Sequence, residues 1–339
     1  MPPQGPVLFK FGLISDIQHA DIPDGYNFSK TSKRYYRHAL IATERAVHDF
    51  EKANVDFCIH LGDIIDYHNS LQPKSPRGMT PSASEKALQD VLDQFEKLEK
   101  KQVTTLHSLG NHCLYNHSRE ILNERLGIHN LTDGQPHSYY SYSPHPLYKL
   151  LFIDGYDVSF LGWPPGHPRH EEAVKILDQH NPNNDKNSPN GLHGLNRRFV
   201  KFGGGLSDTQ LQWLDQELSS AKEAGQKVII ASHLCIHPNT CSPVCLLWNY
   251  DKVLSLIQKW QGVVVATLAG HAHLDGEFRD GEGEGGGGGH AGGGVYHRVC
   301  RAVLETEPGR DAWAVVSVGE EYMDIKGYDT FASAYITYT

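Results

Sequence analysis

Short apolar runs recur along the chain, at residues 8–15, 56–61, 103–109, 228–231 and 263–269. They contain β-branched residues and most stop at Gly or Ser, a pattern that predicts strands of a sheet covered on both faces. Between them the apolar period becomes helical, at 35–52, 84–100, 118–125, 207–224 and 249–260, with Ser84 and Ser207 as N-caps. Alternation of this kind predicts βαβ units of an α/β fold. Beyond residue 294 the runs 295–300, 312–318, 322–325 and 332–337 follow one another without helices, which predicts antiparallel pairing at a sheet edge or in a second packed sheet. Two stretches have no clear period. Residues 157–205, apart from a helical run near 171–179, are rich in Pro, Asn, Gly and His, and a long ordered loop of this kind is where substrate recognition is expected. In 281–294 ten of fourteen residues are Gly, which predicts a flexible insert without chemistry, since no Gly-Lys-Ser/Thr follows it and no βαβ unit frames it.

The residues that follow the five apolar runs are metal-ligand types: Asp16-Ile-Gln18, Gly62-Asp63-Ile-Ile-Asp66, Gly110-Asn111-His112, Ser232-His233 and Gly270-His271-Ala-His273. One Asp or His after a strand is more often a turn or capping group than a ligand. Five such segments at strand C-terminal ends can converge on one crevice of an open α/β sheet. Asp16 and Gln18 are two apart, as are His271 and His273, so on an extended exit each pair points one way while His19 points to the other face. Carboxylates, imidazoles and the amide oxygens of Gln18 and Asn111, without thiolate, favour Mn, Mg, Fe or Zn, and the amides tilt the set toward Mn or Mg. A bridging Asp63 would hold two divalent ions roughly 3.5–4 Å apart. Two carboxylates against four positive charges would leave a pocket suited to a diphosphate.

At 339 residues, with motifs from position 16 to 273, one domain spanning 1–339 is expected. Thirty-one basic against forty acidic residues give a net charge of −9, and there is no long Lys/Arg run, so a nucleic-acid groove is not suggested. The six cysteines (Cys58, Cys113, Cys235, Cys241, Cys245 and Cys300) form no CxxC pair and read as free thiols in a reducing compartment. No leader pattern stands at the N-terminus and no segment approaches the ~18 apolar residues of a membrane span. The expectation is a cytoplasmic monomer acting on a small molecule, without nucleic-acid or membrane partners.

Taken together, the five segments resemble the signature of the calcineurin-like metallophosphoesterase superfamily: D-x-[HQ], G-D-x-x-D, G-N-H, H and G-H-x-H. The chain more closely resembles the manganese-dependent ADP-ribose/CDP-alcohol diphosphatases over residues 8–337. That likeness is carried by Ser15-Asp-Ile-Gln18, Asp24-Gly-Tyr-Asn-Phe28, Arg34-Tyr-Tyr-Arg37-His38, Asn187-Ser-Pro-Asn-Gly-Leu192, Cys245-Leu-Leu-Trp-Asn249 and Val295-Tyr-His297, with Gln18 standing where most superfamily members have His. The resemblance implies a four-layer α/β/β/α sandwich, two divalent ions with Mn2+ foremost, and metal ligands at Asp16, Gln18, Asp63, Asn111, His233, His271 and His273. It also implies that His112 lies nearest the phosphoryl group, with Asp66 orienting it. Phe28, Leu192 and Cys245, in family-like segments outside the ligand set, are candidates to line the nucleobase pocket, with ordinary core packing as the competing reading. Departures are Cys113 where an acidic residue is usual, Arg301-Ala302 for a common Glu-Gly, and His19 for an aromatic. The implied reaction is in-line hydrolysis of a nucleoside diphosphate ester such as ADP-ribose, CDP-choline or CDP-glycerol. A phosphodiesterase on cyclic nucleotides or glycerophosphodiesters would use the same metal core. A protein phosphatase would have Arg where Tyr67 stands, and a binding protein without catalysis would be expected to have lost a ligand or His112.

Overall fold

The computed structural model describes residues 5–72, 81–132, 134–281 and 294–338. Apart from Gly281 and Gly294, the expected flexible insert lies outside them. In chain order the strands are β1 (Val7–Ile14), β2 (Gly25–Tyr26), β3 (Lys33–Arg34), β4 (Phe57–His60), β5 (Thr104–His107), β6 (Tyr140–His145), β7 (Tyr148–Phe152), β8 (Lys227–Ser232), β9 (Val264–Ala269), β10 (Gly276–Arg279), β11 (Tyr296–Val299), β12 (Ala314–Gly319), β13 (Tyr322–Gly327) and β14 (Ala334–Thr337). The α-helices are α1 (His38–Lys52), α2 (Ala83–Glu99), α3 (Asn111–Asn116), α4 (Arg119–Arg125), α5 (Ile128–Leu131), α6 (Pro168–His180), α7 (Asp208–Glu223) and α8 (Tyr250–Lys259).

Two six-stranded sheets form, in the orders β14-β13-β12-β1-β4-β5 and β10-β11-β9-β8-β7-β6. Alternation along β1 explains how they stack. Phe9 meets Tyr148 of the second sheet edge-on at 5.3 Å between ring centroids, and Phe57 of β4 meets Tyr142 at 5.4 Å. Gly12 points the other way, where a Cβ would stand 2.6 Å from the Phe50 ring of α1, so its bareness lets that helix settle on the sheet. Helices α1 and α2 cover the first sheet and α7 the second, with α8 packed beside α7 and its Val253 and Ile257 in the core, giving the α/β/β/α order that the resemblance implies. One continuous buried apolar cluster runs through both sheets. Truncating a ring such as Phe57 at its centre would cost about 3–5 kcal/mol. Among the described residues no helix is long and apolar enough to cross a membrane.

Several expectations need correction. The parallel strands divide between two sheets, with β1, β4 and β5 in one and β7, β8, β9 and β11 in the other. The run at 295–300 pairs antiparallel with edge strand β10, as expected, but parallel with β9 on its other side, while β12, β13 and β14 are antiparallel as expected. Strands β6 and β7, between the third and fourth motifs, were not anticipated. The N-cap of α2 is Ser82 and not Ser84. Ser82 Oγ accepts from Glu85 N at 3.2 Å while Glu85 Oε2 accepts from Ser82 N at 2.7 Å, a reciprocal pair that needs the carboxylate three residues on. Ser84 lies inside the helix and donates to Asn116 Oδ1. Ser207 does cap α7. The 157–205 region is pinned at its base by paired hydrogen bonds between Val158 and Gly205, at 2.8 and 2.9 Å. Its helix starts earlier than the pattern suggested, because Pro168 occupies the first turn and His167 caps it.

Candidate metal centre

Asp16, Asp63 and Asn111 follow β1, β4 and β5 of the first sheet, while His233, His271 and His273 follow β8 and β9 of the second. Both sheets point these strand ends toward one place, and there the side chains converge. Asp63 is buried at the centre. Its Oδ2 lies 3.2 Å from Gln18 Nε2 and 3.4 Å from His233 Nε2, while Oδ1 accepts from His112 N at 2.8 Å. On one side His273 Nε2 is 3.4 Å from Asp16 Oδ1 and 2.9 Å from Gln18 Nε2. On the other His233 Nε2 is 3.1 Å from His271 Nδ1. Two groups of donors thus meet at one shared carboxylate.

Local backbone geometry makes this crowding possible. Asp16, Gln18, Asp63, His271 and His273 all have φ between 45° and 67°. The expected extended exits are therefore wrong: the pairs Asp16/Gln18 and His271/His273 share a direction through repeated left-handed residues. Such conformations cost about 1 kcal/mol or more each and persist where the surroundings over-determine them. The motif glycines follow from the same crowding. A Cβ on Gly110 would stand 2.6 Å from Asp63 Cγ, and one on Gly270 would stand 2.7 Å from Asp16 Oδ2.

Residues 9–275 match the family of calcineurin-like phosphoesterases. The chain belongs to that family. It is 41% identical over 326 residues to a manganese-dependent ADP-ribose/CDP-alcohol diphosphatase of Oryza sativa subsp. japonica, covering 96% of this chain and 92% of that protein. The protein of the same description from Homo sapiens is 38% identical, over 94% of this chain and 90% of its own length. A crystal structure of a dimetal phosphatase from Danio rerio superposes with a TM-score of 0.87 at 36% identity, covering 98% of this chain and all of that one.

In this phosphoesterase the donor set fits a metal pair on its own evidence. Asp16 Oδ1, Gln18 Oε1 and His271 Nε2 are buried without a hydrogen-bond partner, an arrangement that native interiors avoid unless something else satisfies the atoms. His233 places Nδ1 2.7 Å from Leu61 O, so Nδ1–H donates there and Nε2 turns its lone pair inward. Burial drives the His271 imidazole down to about 3, and neighbouring His233 adds to that, so it stands neutral as a ligand must. Burial opposes charge on Asp16, but His273, His233 and the Ser15 hydroxyl outweigh it and hold the carboxyl well below its usual range.

Sequence reasoning missed the supporting residues. Glu305 Oε1 lies 2.8 Å from His273 Nδ1 and 3.2 Å from Arg34 Nε, locking the ring from behind. Despite the pull of burial, His273 is raised to about 9 by the neighbouring Asp16 and Glu305 carboxylates. Tyr156 donates its hydroxyl to Asn111 Oδ1 at 3.2 Å. His112 Nδ1 sits 3.0 Å from Tyr67 N and 3.1 Å from Asp66 Oδ2, while Asp66 Oδ1 accepts from His68 N at 2.9 Å. His19 is turned out of the centre, with Nδ1 3.1 Å from Tyr36 O. Of the pocket candidates, Cys245 packs against the cluster of Cys235, Leu246, Ala269 and Val299, as does Ala272, which stands between two of the gathered histidines in sequence. Phe28 is fully exposed near the β2–β3 hairpin, and Leu192 is half-buried within 157–205. No described contact joins either to the gathered donors. Phe202, at the end of that region, does approach, 6.0 Å from the His271 ring.

Proposed function

We propose that the chain hydrolyses the diphosphate of ADP-ribose and CDP-alcohols, giving a nucleoside monophosphate and a second phosphomonoester, with manganese as its metal. The observation that carries the reading is the pair of donor groups sharing Asp63, in a chain that matches diphosphatases described in these terms along nearly its whole length. Asp16, Gln18, Asp63 and His273 would hold one ion, and Asp63, Asn111, His233 and His271 the other. When bound, such a pair lowers the pKa of water and balances charge on the phosphoryl oxygens.

The remaining roles fall to the chain's own groups. When neutral, His112 accepts the Tyr67 N–H at Nδ1 and keeps its own proton on Nε2; the form that can give a proton to a leaving oxygen is the imidazolium, from Nε2. In the cationic state the Nδ1–H turns to Asp66, so both protonation states have a partner 3.0–3.1 Å away. Asp66 is a positioning residue in this reading. Its carboxyl is opposed by burial yet held low by His112 and His68, so it stays an acceptor while the imidazole cycles. Cys245, Leu192 and Phe28 would contact the base, and Cys245 has the strongest support, since it packs on the same buried cluster as Ala272. We take 1–339 as one domain, with recognition assigned to 157–205, whose Phe202 reaches His271.

With Mn2+, ADP-ribose should yield AMP and ribose 5-phosphate, and CDP-choline should yield CMP and phosphocholine. Asp63→Asn should abolish both reactions and lower bound manganese. If cyclic AMP or p-nitrophenyl phosphate is cleaved far better than either diphosphate, the substrate reading fails and family membership alone stands.

A further inference from the structure

A second convergence of ligand atoms lies outside the centre just described. His237 sits in the segment after β8, Asp280 directly after β10, and His297 within β11. The Nε2 of His297 is 3.4 Å from Asp280 Oδ1, and the Nε2 of His237 is 3.8 Å from the same oxygen. One ligand atom from each residue lies within 4.8 Å of the other two. None of the three belongs to the donor set around Asp63.

His297 is held as a ligand is held, and His237 is fixed in its plane. His297 is 1% exposed, and its Nδ1 lies 2.8 Å from Thr267 Oγ1. The Thr267 hydroxyl engages Nδ1, which leaves Nε2 facing Asp280, fully buried and without a hydrogen-bond partner. A buried nitrogen left so is unfavourable unless something occupies the gap. The His237 ring lies parallel to Phe278, with centroids 4.3 Å apart and planes 12° apart, which fixes its plane. Burial and nearby His297 bring His237 down to about 4, so it is neutral.

We propose that His237, Asp280 and His297 bind one zinc-like divalent cation, separate from the metal pair. Two imidazoles and a carboxylate suit Zn2+, with a fourth position left to water or an external ligand, and supply too few oxygens for Mg2+ or Ca2+. Binding through Nε2 places the His237 proton on Nδ1, so the 3.2 Å contact from Asn239 N is given up. The ion would tie the β10–β11 hairpin to the segment that leaves His233, four residues before His237. That segment already touches the hairpin where Thr240 crowds Gly276. The site is a clamp beside the catalytic centre and takes no part in its chemistry.

The experiment counts total divalent metal per chain after dialysis of the intact protein against equal Mn2+ and Zn2+, by plasma mass spectrometry. Native protein should hold three ions. Asp280→Asn and His237→Gln should hold two, keep diphosphate hydrolysis, and bind the third equivalent more than about tenfold more weakly, a loss at least as large as that from removing an outer partner of a ligand. His237 is partly exposed, so its variant tests the site even if substitutions at buried His297 fail to fold. Two ions in the native protein, or three retained in both variants, would overturn the proposal. The count does not depend on which phosphate ester is cleaved, so it stands or falls apart from the substrate reading.

Discussion

Adding a single methyl group at Gly110 should disable the centre while leaving the fold in place. The Cβ of Gly110→Ala would stand 2.6 Å from Asp63 Cγ and 2.6 Å from Asp63 N, with Oδ1 nearer still, whereas ordinary contact begins at 3.4 Å. The carboxylate carbon must therefore retreat by about 0.8 Å, and it cannot do so by moving with its own backbone, which is equally close. Asp63 is the residue both donor groups share, so the displacement reaches every member. A misplacement near 1 Å of a reacting geometry can lower turnover about 100-fold, roughly 2.7 kcal/mol in barrier height. Overpacking of this kind costs about 1–3 kcal/mol of stability, a few degrees of melting temperature for a chain of this size. The assay is turnover of ADP-ribose with saturating Mn2+, beside bound manganese and thermal melting. Gly225→Ala is the control. Gly225 has φ 67°, but a Cβ there meets nothing within 4 Å, so it should lose about 1 kcal/mol of stability and no turnover. Turnover of Gly110→Ala within about threefold of native, with two manganese bound, would refute the crowding argument.

Glu305→Gln removes the carboxylate behind His273 and should weaken manganese binding about 10–100-fold while turnover at saturating metal changes little; unaltered affinity would show that Glu305 does not set the ring. The metal-free protein should also lose stability as pH rises. His273 is raised from 6.5 to about 9 in the folded chain, so its contribution is fully present below pH 6.5 and disappears as pH climbs through 9. Urea midpoints should fall across that window without metal and stay level with manganese bound, where the ring is already deprotonated. A flat metal-free profile would contradict the pull assigned to the Asp16 and Glu305 carboxylates.

The convergent donors were legible because a strand end is a local event: an apolar run, a Gly or Ser, then an Asp or His. All seven expected ligands, and His112 with Asp66, come together where the two sheets meet. Residue type alone would not have sufficed. His60 and His107 are also buried at the ends of β4 and β5, yet they face each other at 3.3 Å over Phe95, and burial pulls both toward neutrality. What the sequence hid was non-local. Glu305 lies 32 positions from His273 in a loop with no periodic signal, and it reaches the ring because Val303 N and Leu304 N bond to Ser15 O and Asp16 O. Gln18 faces the centre and His19 does not, but left-handed backbone and not an extended exit turns Gln18 inward. The division of the parallel strands between two sheets was likewise invisible to periodicity, which reports burial and not the partner.

The left-handed ligands and the partnerless atoms are two sides of one energetic arrangement. Five non-glycine residues at positive φ, at about 1 kcal/mol or more each, would approach the 5–15 kcal/mol that keeps a whole domain folded. Before metal binds, the centre adds to this a buried imidazole pushed toward neutrality and three polar atoms with no partner. Surrounding hydrogen bonds hold the loops regardless: His271 N to Asp16 Oδ2 at 3.0 Å, Gln18 N to Asp63 O at 2.8 Å, and Ala302 N to His273 O at 3.2 Å. The first crosses from one sheet to the other, the second ties two loops of the first sheet, and the third reaches the segment before Glu305, so no single loop can relax without breaking a contact elsewhere. A divalent pair entering such a site meets donors already set in place, and little ordering remains to oppose binding. The strain is carried by the fold, whose continuous core between the sheets is large enough to sustain it.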